Sequence, residues 1–169
     1  WKRQRQPRAG HGGQTGAMSE LRYLAGYPPE LQEQARVLLE QGKLAGILAQ
    51  RYPQDHKVRS NKELFDYVQE LKNKHMRNSA PLGKVLFDDK LKVIRGALGL
   101  HTTATHQQGN KLRKRRELRV ASLFKETPAD FLRMIVVHEL AHMKHTDHDK
   151  SFYKLCTYME PDYHQLEFD

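Results

Sequence analysis

A long apolar stretch that carries two histidines constrains the fold of this chain more than any other feature. The run TPADFLRMIVVHELAHMKH begins with Thr127 as a predicted helix cap, Pro128 in the first helical position and Asp130 three residues after the cap. From Phe131 to Met143 it is apolar on nearly every face, as expected of a helix that passes through the middle of a domain. The sequence therefore predicts a buried helix that brings histidines into the interior.

Two of these histidines have the spacing of metal ligands. His138 and His142 lie four residues apart, so their imidazoles project from the same face of a helix, one turn apart. Glu139 lies between them, and H-E-x-x-H is the pattern in which two histidines bind Zn²⁺ and the glutamate acts as general base. A carboxylate inside so apolar a run is costly unless a metal or a catalytic water engages it, which argues against histidines that merely pack in the core.

The third ligand is either His145 or His148. In an unbroken helix His145 would share the face of His138, but three histidines along a straight helix span more than about 10 Å at about 1.5 Å per residue, too far to surround one ion. If the helix ends near His145, Thr146 can cap a new helix with Asp149 three residues later, and His148 returns toward the metal. We therefore favour His148 and expect His145 at the surface or beside the ligands.

The first half of the chain has helical periodicity. Apolar residues recur at helical spacing on both sides of Gly42, which predicts two helices before Pro53. A third helix is expected after Ser60, because Ser60 and Glu63 form a potential capping box ahead of an apolar stripe. That stripe consists of Leu64, Phe65, Val68 and Leu71.

After Pro81 the sequence changes to short β-branched and aromatic runs. The segments KVLFD, KLKVIRGALGL and ELRVASLF predict three strands, mainly antiparallel, with DDK as a turn and HQQGN as a loop. His101 and His106 are expected in a polar loop, and a short final helix is expected to end before Pro161. The predicted fold class is thus α+β, with helices in the first half, a small antiparallel sheet, the buried histidine helix and a short carboxy-terminal helix.

Length and composition indicate a globular protein with one hydrophobic core. The chain has 169 residues, 38% of them hydrophobic and 29% charged, and no apolar run approaches the roughly 20 residues that span a bilayer. Residues 1–17 are expected to be a disordered tail or an added extension. Residues 18–169 would then form a single domain, with a helical part over 18–80 and the sheet and metal site over 81–169.

The single cysteine and the charge bear on location and partners. Cys156 cannot form an internal disulfide, so a reducing, cytoplasmic location is expected, and the thiol is expected to be a small buried apolar group. The net charge is +9, and the segment KLRKRRELR, residues 111–119, holds six Lys or Arg against one Glu. We expect a solvated strand or loop there, with phosphate or nucleic-acid binding as the alternative.

The run HELAHMKHTDHDKSFY resembles the YgjP-like metallopeptidases, whose signature reads H-E-L-x-H, five residues, H, three residues and an aromatic pair. The resemblance covers residues 123–163, and Tyr153 stands where tryptophan is usual. It implies a zincin-like domain with one zinc ion per chain. Carried over by position, it implies the metal ligands His138, His142 and His148, the base Glu139 and the packing aromatic Phe152.

Three functions are compatible with these features. The favoured one is a zinc metallopeptidase acting on peptides or unfolded protein, in which the ion polarises a carbonyl and acidifies its water while Glu139 takes the proton. The resemblance also implies a nucleoside triphosphate pyrophosphatase of the UTP type, whose phosphates residues 111–119 could hold. The third is a non-enzymatic nucleic-acid module with structural zinc, which would need a closed four-ligand site. Tyr153, Tyr158 or His164 could assist an oxyanion in either enzyme.

Overall fold

A computed structural model describes most of the chain. The described residues are 26–91, 99–108 and 111–169, with the backbone alone described for 99–108 and 111–115. The tail expected over residues 1–17 lies outside them.

The chain divides into two compact units, residues 1–50 and 51–169. The expectation that residues 18–169 form a single domain stays a prediction. Among the helices that the structure describes, none is long and apolar enough to cross a bilayer.

Two helices lie on either side of Gly42, as the periodicity predicts. Helix α1 spans Pro29–Glu40 and helix α2 spans Leu44–Arg51. Gly42 has φ 64°, a left-handed conformation that glycine adopts without the steric cost that a Cβ brings. The chain can therefore leave α1 sharply and begin α2 two residues later.

Helix α3, Asn61–His75, begins with the predicted capping box. The Glu63 backbone N–H donates to Ser60 Oγ at 3.2 Å, and the Ser60 backbone N–H donates to Glu63 Oε2 at 2.9 Å. Two backbone donors that lack partners inside the helix are thereby satisfied. The helix buries Leu64, Val68 and Leu71 in the core, while Phe65 is partly buried against it.

The three strands form a mixed sheet, so the prediction of an antiparallel sheet is wrong in part. Strands β1 (Leu82–Asp88), β2 (Gly99–Gln108) and β3 (Lys111–Ala121) lie in the order β1-β3-β2. β2 and β3, which only two residues of the chain separate, pair antiparallel, but β1 pairs with β3 in parallel. The predicted DDK turn follows β1, yet the partner of β1 in the sheet is the later strand, β3. The fold class is nevertheless mixed helix and sheet, α+β.

Two further details of the strand prediction are corrected. His101 and His106 lie on β2 rather than in a loop, because backbone pairing with β3 overrides their weak preference for strands. The third predicted strand ends early, and Ser122–Lys125 form a 3₁₀ turn instead. Most of the strand expected over residues 90–100 lies outside the described residues.

Helix α4, Ala129–Ala141, is the buried helix that the sequence predicts. It packs against α3 and against β2 and β3. Its predicted cap is wrong, because the Thr127 hydroxyl donates backward to the Phe124 carbonyl at 3.2 Å. The first backbone N–H of α4, that of Ala129, instead donates to the Gln54 carbonyl at 2.8 Å. A residue distant in sequence therefore satisfies this helix end.

Two short helices follow rather than one. Helix α5, Lys150–Met159, ends before Pro161 as predicted, and Cys156 on it is fully buried. Its cap is Asp149, whose Oδ1 accepts from the Phe152 backbone N–H at 2.8 Å, and not Thr146. Helix α6, Tyr163–Phe168, was not predicted, since six residues are too few to display a helical period. Both helices pack against α4.

Candidate metal centre

The carboxyl end of helix α4 positions the first two histidines. His138 lies in the last turn of α4, and His142 follows the final residue, Ala141, still in helical conformation. The chain then turns, because the N–H groups of Lys144 and His145 both donate to the Ala141 carbonyl at 3.0 Å. This turn ends the helix, so His145 does not continue the histidine face.

The turn returns His148 to the other two histidines. The Nε2 atoms of His138 and His142 are 3.2 Å apart, and that of His148 lies 3.2 Å from the first and 2.9 Å from the second. Among the described residues, these three form the cluster of His, Cys, Asp or Glu side chains that could hold a metal. We call His138, His142 and His148 the histidine cluster. The side chain of His145 is not part of it.

Hydrogen bonds on the far sides of two rings orient them. His142 Nδ1 lies 2.9 Å from the backbone carbonyl of His145, which can only accept, so Nδ1 carries the proton. His138 Nδ1 lies 2.6 Å from the hydroxyl of Tyr163, and that hydroxyl donates its one proton to Glu167 at 3.1 Å. It therefore accepts from His138. In neutral rings, both Nε2 atoms then present lone pairs to the cluster.

Burial keeps the two helix-borne histidines neutral. Desolvation lowers the pKa of His138 to about 3, with a smaller contribution from the neighbouring His142 and His148. Burial also lowers the pKa of His142. Neutral imidazoles are the form that binds metal ions, so these rings need not lose a proton at neutral pH to act as ligands.

Glu139 is buried beside the first ligand candidate. Only 2% of the residue is exposed, and burial raises the pKa of its carboxyl to about 8. Its Oε2 has no hydrogen-bond partner among the described residues. Such an orphaned acceptor costs free energy in an apolar interior unless a water, a cation or a substrate proton meets it.

These features fit a divalent metal ion. Ligand atoms about 2.0–2.1 Å from a tetrahedral Zn²⁺ lie about 3.3 Å from one another, close to the 2.9–3.2 Å between the Nε2 atoms. Lone pairs converging at such distances repel unless a cation lies among them. The cluster has three members and Glu139 is not one of them. An ion there would keep a position for water or substrate, the arrangement of catalytic sites.

Phe152 holds the three rings together. Its ring centroid lies 5.0 Å from that of His138, 4.6 Å from that of His142 and 4.8 Å from that of His148, and the side chain is fully buried. Asp149, by capping α5, fixes where Phe152 lies relative to His148. The aromatic residue therefore fills the space behind the imidazoles and restricts their rotation.

The three candidates for oxyanion stabilisation lie at different places. The Tyr153 ring lies 6.3 Å from the His148 ring, and the His164 ring lies 5.3 Å from the Tyr153 ring. Tyr158 is 64% exposed and packs its ring on His75. Tyr153 and His164 thus stay near the histidine cluster as candidates, whereas the described ring contact of Tyr158 is made elsewhere.

Tyr163 and Glu167 were missed as parts of the site. Both lie on α6, which brings them behind His138, and Tyr163 is fully buried. Tyr163 is the last residue of the stretch that resembles the YgjP-like family, but the sequence carries no indication that this tyrosine meets a histidine 25 residues earlier.

Comparison with known proteins decides the family. The family model for the YgjP-like, metallopeptidase domain matches residues 30–168. The chain belongs to the YgjP-like family. A relative from Escherichia coli (strain K12), named UTP pyrophosphatase, is 52% identical over 152 residues, which cover 90% of this chain and 91% of that protein. No solved structure matches this YgjP-like chain significantly. The family description and the relative's name both denote hydrolysis, so the chain is a member of a hydrolase family.

Proposed function

We propose that this protein is a metal-dependent pyrophosphatase that hydrolyses UTP to UMP and pyrophosphate. One observation supports hydrolysis by a metal-activated water. Three histidine Nε2 atoms converge beside the buried Glu139, whose Oε2 has no hydrogen-bond partner among the described residues. The substrate class is supported by the relative named UTP pyrophosphatase, at 52% identity over nearly the whole of both chains. A net charge of +9 suits a polyanionic substrate.

In this proposal His138, His142 and His148 hold the ion, which we take to be Zn²⁺ because imidazole ligands suit it. When bound, such an ion polarises a phosphoryl oxygen and makes water nucleophilic near neutral pH. Among the described residues the cluster has three members, which would leave one coordination position for water or substrate, whereas a structural zinc site would need a fourth protein ligand. That argues against the non-enzymatic nucleic-acid module.

Glu139 acts as the general base, because a cation bound beside it would counteract the effect of burial on its pKa and favour the ionised carboxylate. Water attacks the α-phosphorus of UTP, one of its protons passes to the Glu139 carboxylate, and the bond between the α-phosphorus and the bridging oxygen breaks. The pyrophosphate leaves with that oxygen, and the proton returns to it from Glu139. One water is consumed, and no oxidant or further reactant is needed.

The basic segment 111–119 offers cations for the triphosphate, and its last arginine also has a structural role. Arg119 forms ion pairs with Asp88 at 2.9 Å and with Glu117 at 2.6 Å, and therefore serves to join β1 to β3. The part that we assign to phosphate binding is residues 111–116, on the central strand β3, against which α4 packs. The same residues are the proposed contact if the partner is a nucleic acid.

A metallopeptidase is the second candidate, and the H-E-x-x-H arrangement favours it. The motif is the one that zinc peptidases use, and the matching family is described as a metallopeptidase domain. The substrate would then be a peptide or an unfolded protein. We also propose that the fold is zincin-like, because a sheet covers the helix that carries the motif.

A turnover screen separates these functions. Zinc-loaded protein and its Glu139→Gln variant are incubated with UTP, with other nucleoside triphosphates and with an unfolded protein, each with and without DNA. We expect UMP and pyrophosphate from UTP with the unaltered protein only. Cleavage of the unfolded protein that depends on Glu139, without nucleotide turnover, would favour the peptidase. Turnover that does not depend on Glu139 would count against both enzymes.

A further inference from the structure

We propose that Tyr163 and Glu167 form a positioning pair that holds His138 with its proton on Nδ1 and its Nε2 lone pair toward the histidine cluster. The inference rests on the metal site of the proposed function, but not on the identity of the substrate. Neither residue touches the cluster's Nε2 atoms, so both act through His138.

The contacts form a continuous chain. His138 Nδ1 lies 2.6 Å from the Tyr163 hydroxyl oxygen, and the Tyr163 hydroxyl donates to Glu167 Oε1 at 3.1 Å. A tyrosine hydroxyl has a single proton. Because Glu167 receives it, the proton between the ring and the hydroxyl must belong to His138. The exposed carboxylate of Glu167 thus selects the tautomer of a buried ring.

Local structure fixes the pair. Tyr163 and Glu167 lie four residues apart on α6, so their side chains share one face of the helix. Tyr163 is fully buried and stacks on His138, with ring centroids 6.3 Å apart and planes 22° apart. The ring therefore has little freedom to turn its hydroxyl away from Nδ1.

The other helix-borne histidine is oriented differently. His142 donates to a backbone carbonyl, that of His145, which no substitution removes. His138 depends on two side chains, because Tyr163 meets its Nδ1 atom and Glu167 accepts the proton of the Tyr163 hydroxyl. A conservative substitution of Tyr163 or Glu167 can therefore disturb the orientation of His138 without altering a candidate ligand.

Tyr163 could instead be only a core residue, so the test must separate positioning from packing. Tyr52 provides a matched control, because its hydroxyl also donates to a carboxylate of the carboxy-terminal segment, that of Asp169, at 2.5 Å. Its described contacts include no histidine, and its ring packs edge-on against Phe131. Tyr52→Phe and Tyr163→Phe both remove a hydroxyl that donates to a carboxylate, and only the second leaves a histidine nitrogen without its acceptor.

The experiment measures Zn²⁺ affinity by competition with a chromophoric chelator, together with the visible absorption spectrum of the Co²⁺-loaded protein and the thermal unfolding of the metal-free protein. We expect Tyr163→Phe to lower Zn²⁺ affinity about 10- to 100-fold, as losing a partner behind a ligand does, and to change the Co²⁺ spectrum. Glu167→Gln keeps an acceptor for the hydroxyl but loses the charge, so a smaller loss is expected. Tyr52→Phe should leave affinity and spectrum unchanged, whatever its effect on unfolding.

The outcomes are distinguishable from those of the turnover screen. Unchanged Zn²⁺ affinity in both Tyr163→Phe and Glu167→Gln would overturn the positioning role, and so would an equal loss in Tyr52→Phe. If Tyr163→Phe does not fold, Glu167→Ala at the exposed position still decides the matter, because it removes the acceptor of the Tyr163 hydroxyl. Zn²⁺ affinity should then fall, and an unchanged affinity would overturn the positioning role. Unaltered protein that binds neither metal would overturn both this inference and the proposed function. Metal binding that responds as expected, without hydrolysis of UTP or protein, would leave the positioning pair standing and remove the proposed function.

Discussion

The Nδ1 atom of His142 donates to the backbone carbonyl of His145 at 2.9 Å. His145 therefore contributes to the cluster through its main chain, while the adjacent turn carries His148 to the position beside His142 and His138. The sequence offers both His145 and His148 as a third ligand, and the distinction lies in where α4 ends.

The first prediction follows from this contact. We expect His148→Ala to lower Zn²⁺ affinity by more than roughly 100-fold, because losing a ligand should exceed the effect of losing a residue behind one. His145→Ala should leave affinity nearly unchanged, since the carbonyl that holds His142 remains. Chelator competition on the two variants measures the difference. Equal losses, or a loss at His145 alone, would reverse the assignment.

The second prediction concerns Glu139. We expect Glu139→Gln to lower turnover of UTP by roughly 10² to 10⁴, the usual cost of losing a general base. Gln retains the size of Glu and can still bind a water, so the fold and the bound zinc should persist. Metal analysis and circular dichroism of the purified variant provide the control. Full activity in the variant would show that the carboxylate does not carry the proton.

The local parts of the site could be predicted from sequence. The spacing of His138 and His142 is a property of neighbouring residues, and so are the apolar faces of α4. Helical geometry alone therefore places the two histidine side chains on one face of the helix. The capping box of Ser60 and Glu63 is local in the same way.

The parts that depend on distant segments could not be predicted. In the parallel pairing of β1 with β3, Asp88 lies opposite Ala121, which is 33 residues later in the chain. The sequence pattern of the two strands would be the same in an antiparallel sheet. The contact of His138 with Tyr163 requires α6 to turn back on α4, and no periodicity encodes that turn. Thr127 and Thr146 both have the chemistry of caps, but Gln54 and Asp149 meet the donors instead.

The third prediction uses the ion pair that joins the parallel strands. The hydrogen bond from the Arg119 side chain is the largest cause that lowers the pKa of Asp88, and the Lys90 backbone N–H is the next. A lowered folded-state pKa means that this contribution to stability is present above about pH 4 and is lost as the pH falls through the folded-state value. Asp88→Asn should therefore be less stable near neutrality and should lose less stability on acidification.

Denaturant unfolding of the Asp88→Asn variant and the unaltered protein from pH 3 to 7 measures this difference. Asp66→Asn is the matched control, since the ion pair of Asp66 with Lys62 is exposed and such pairs contribute little. Parallel pH curves for the Asp88 variant and the unaltered protein would contradict the assigned role.

The fourth prediction concerns the thiol on α5. Burial is the main cause that raises the pKa of Cys156 to about 12, and the residue is fully buried. The thiolate is the reactive form, so the native protein should react with a disulfide reagent only slowly at pH 8. One thiol per chain should appear once denaturant is added. The absorbance of the product released from the reagent measures the rate of reaction. Rapid reaction of the folded protein would show that α5 opens readily.

The last prediction tests whether the basic strand binds the triphosphate. Four of its cations lie in an unbroken run, and removing them should weaken the attraction of UTP while leaving Glu139 and the histidine cluster unaltered. The changes are Arg113→Gln, Lys114→Gln, Arg115→Gln and Arg116→Gln, made together. We expect KM for UTP to rise with little change in kcat, the salt dependence of kcat/KM to flatten, and Zn²⁺ affinity to stay the same.

The control removes the same charge from exposed lysines elsewhere, at Lys43, Lys57, Lys74 and Lys90. If the control raises KM equally, only net charge matters and the strand has no specific role; if kcat alone falls, the strand acts on the reaction rather than on binding.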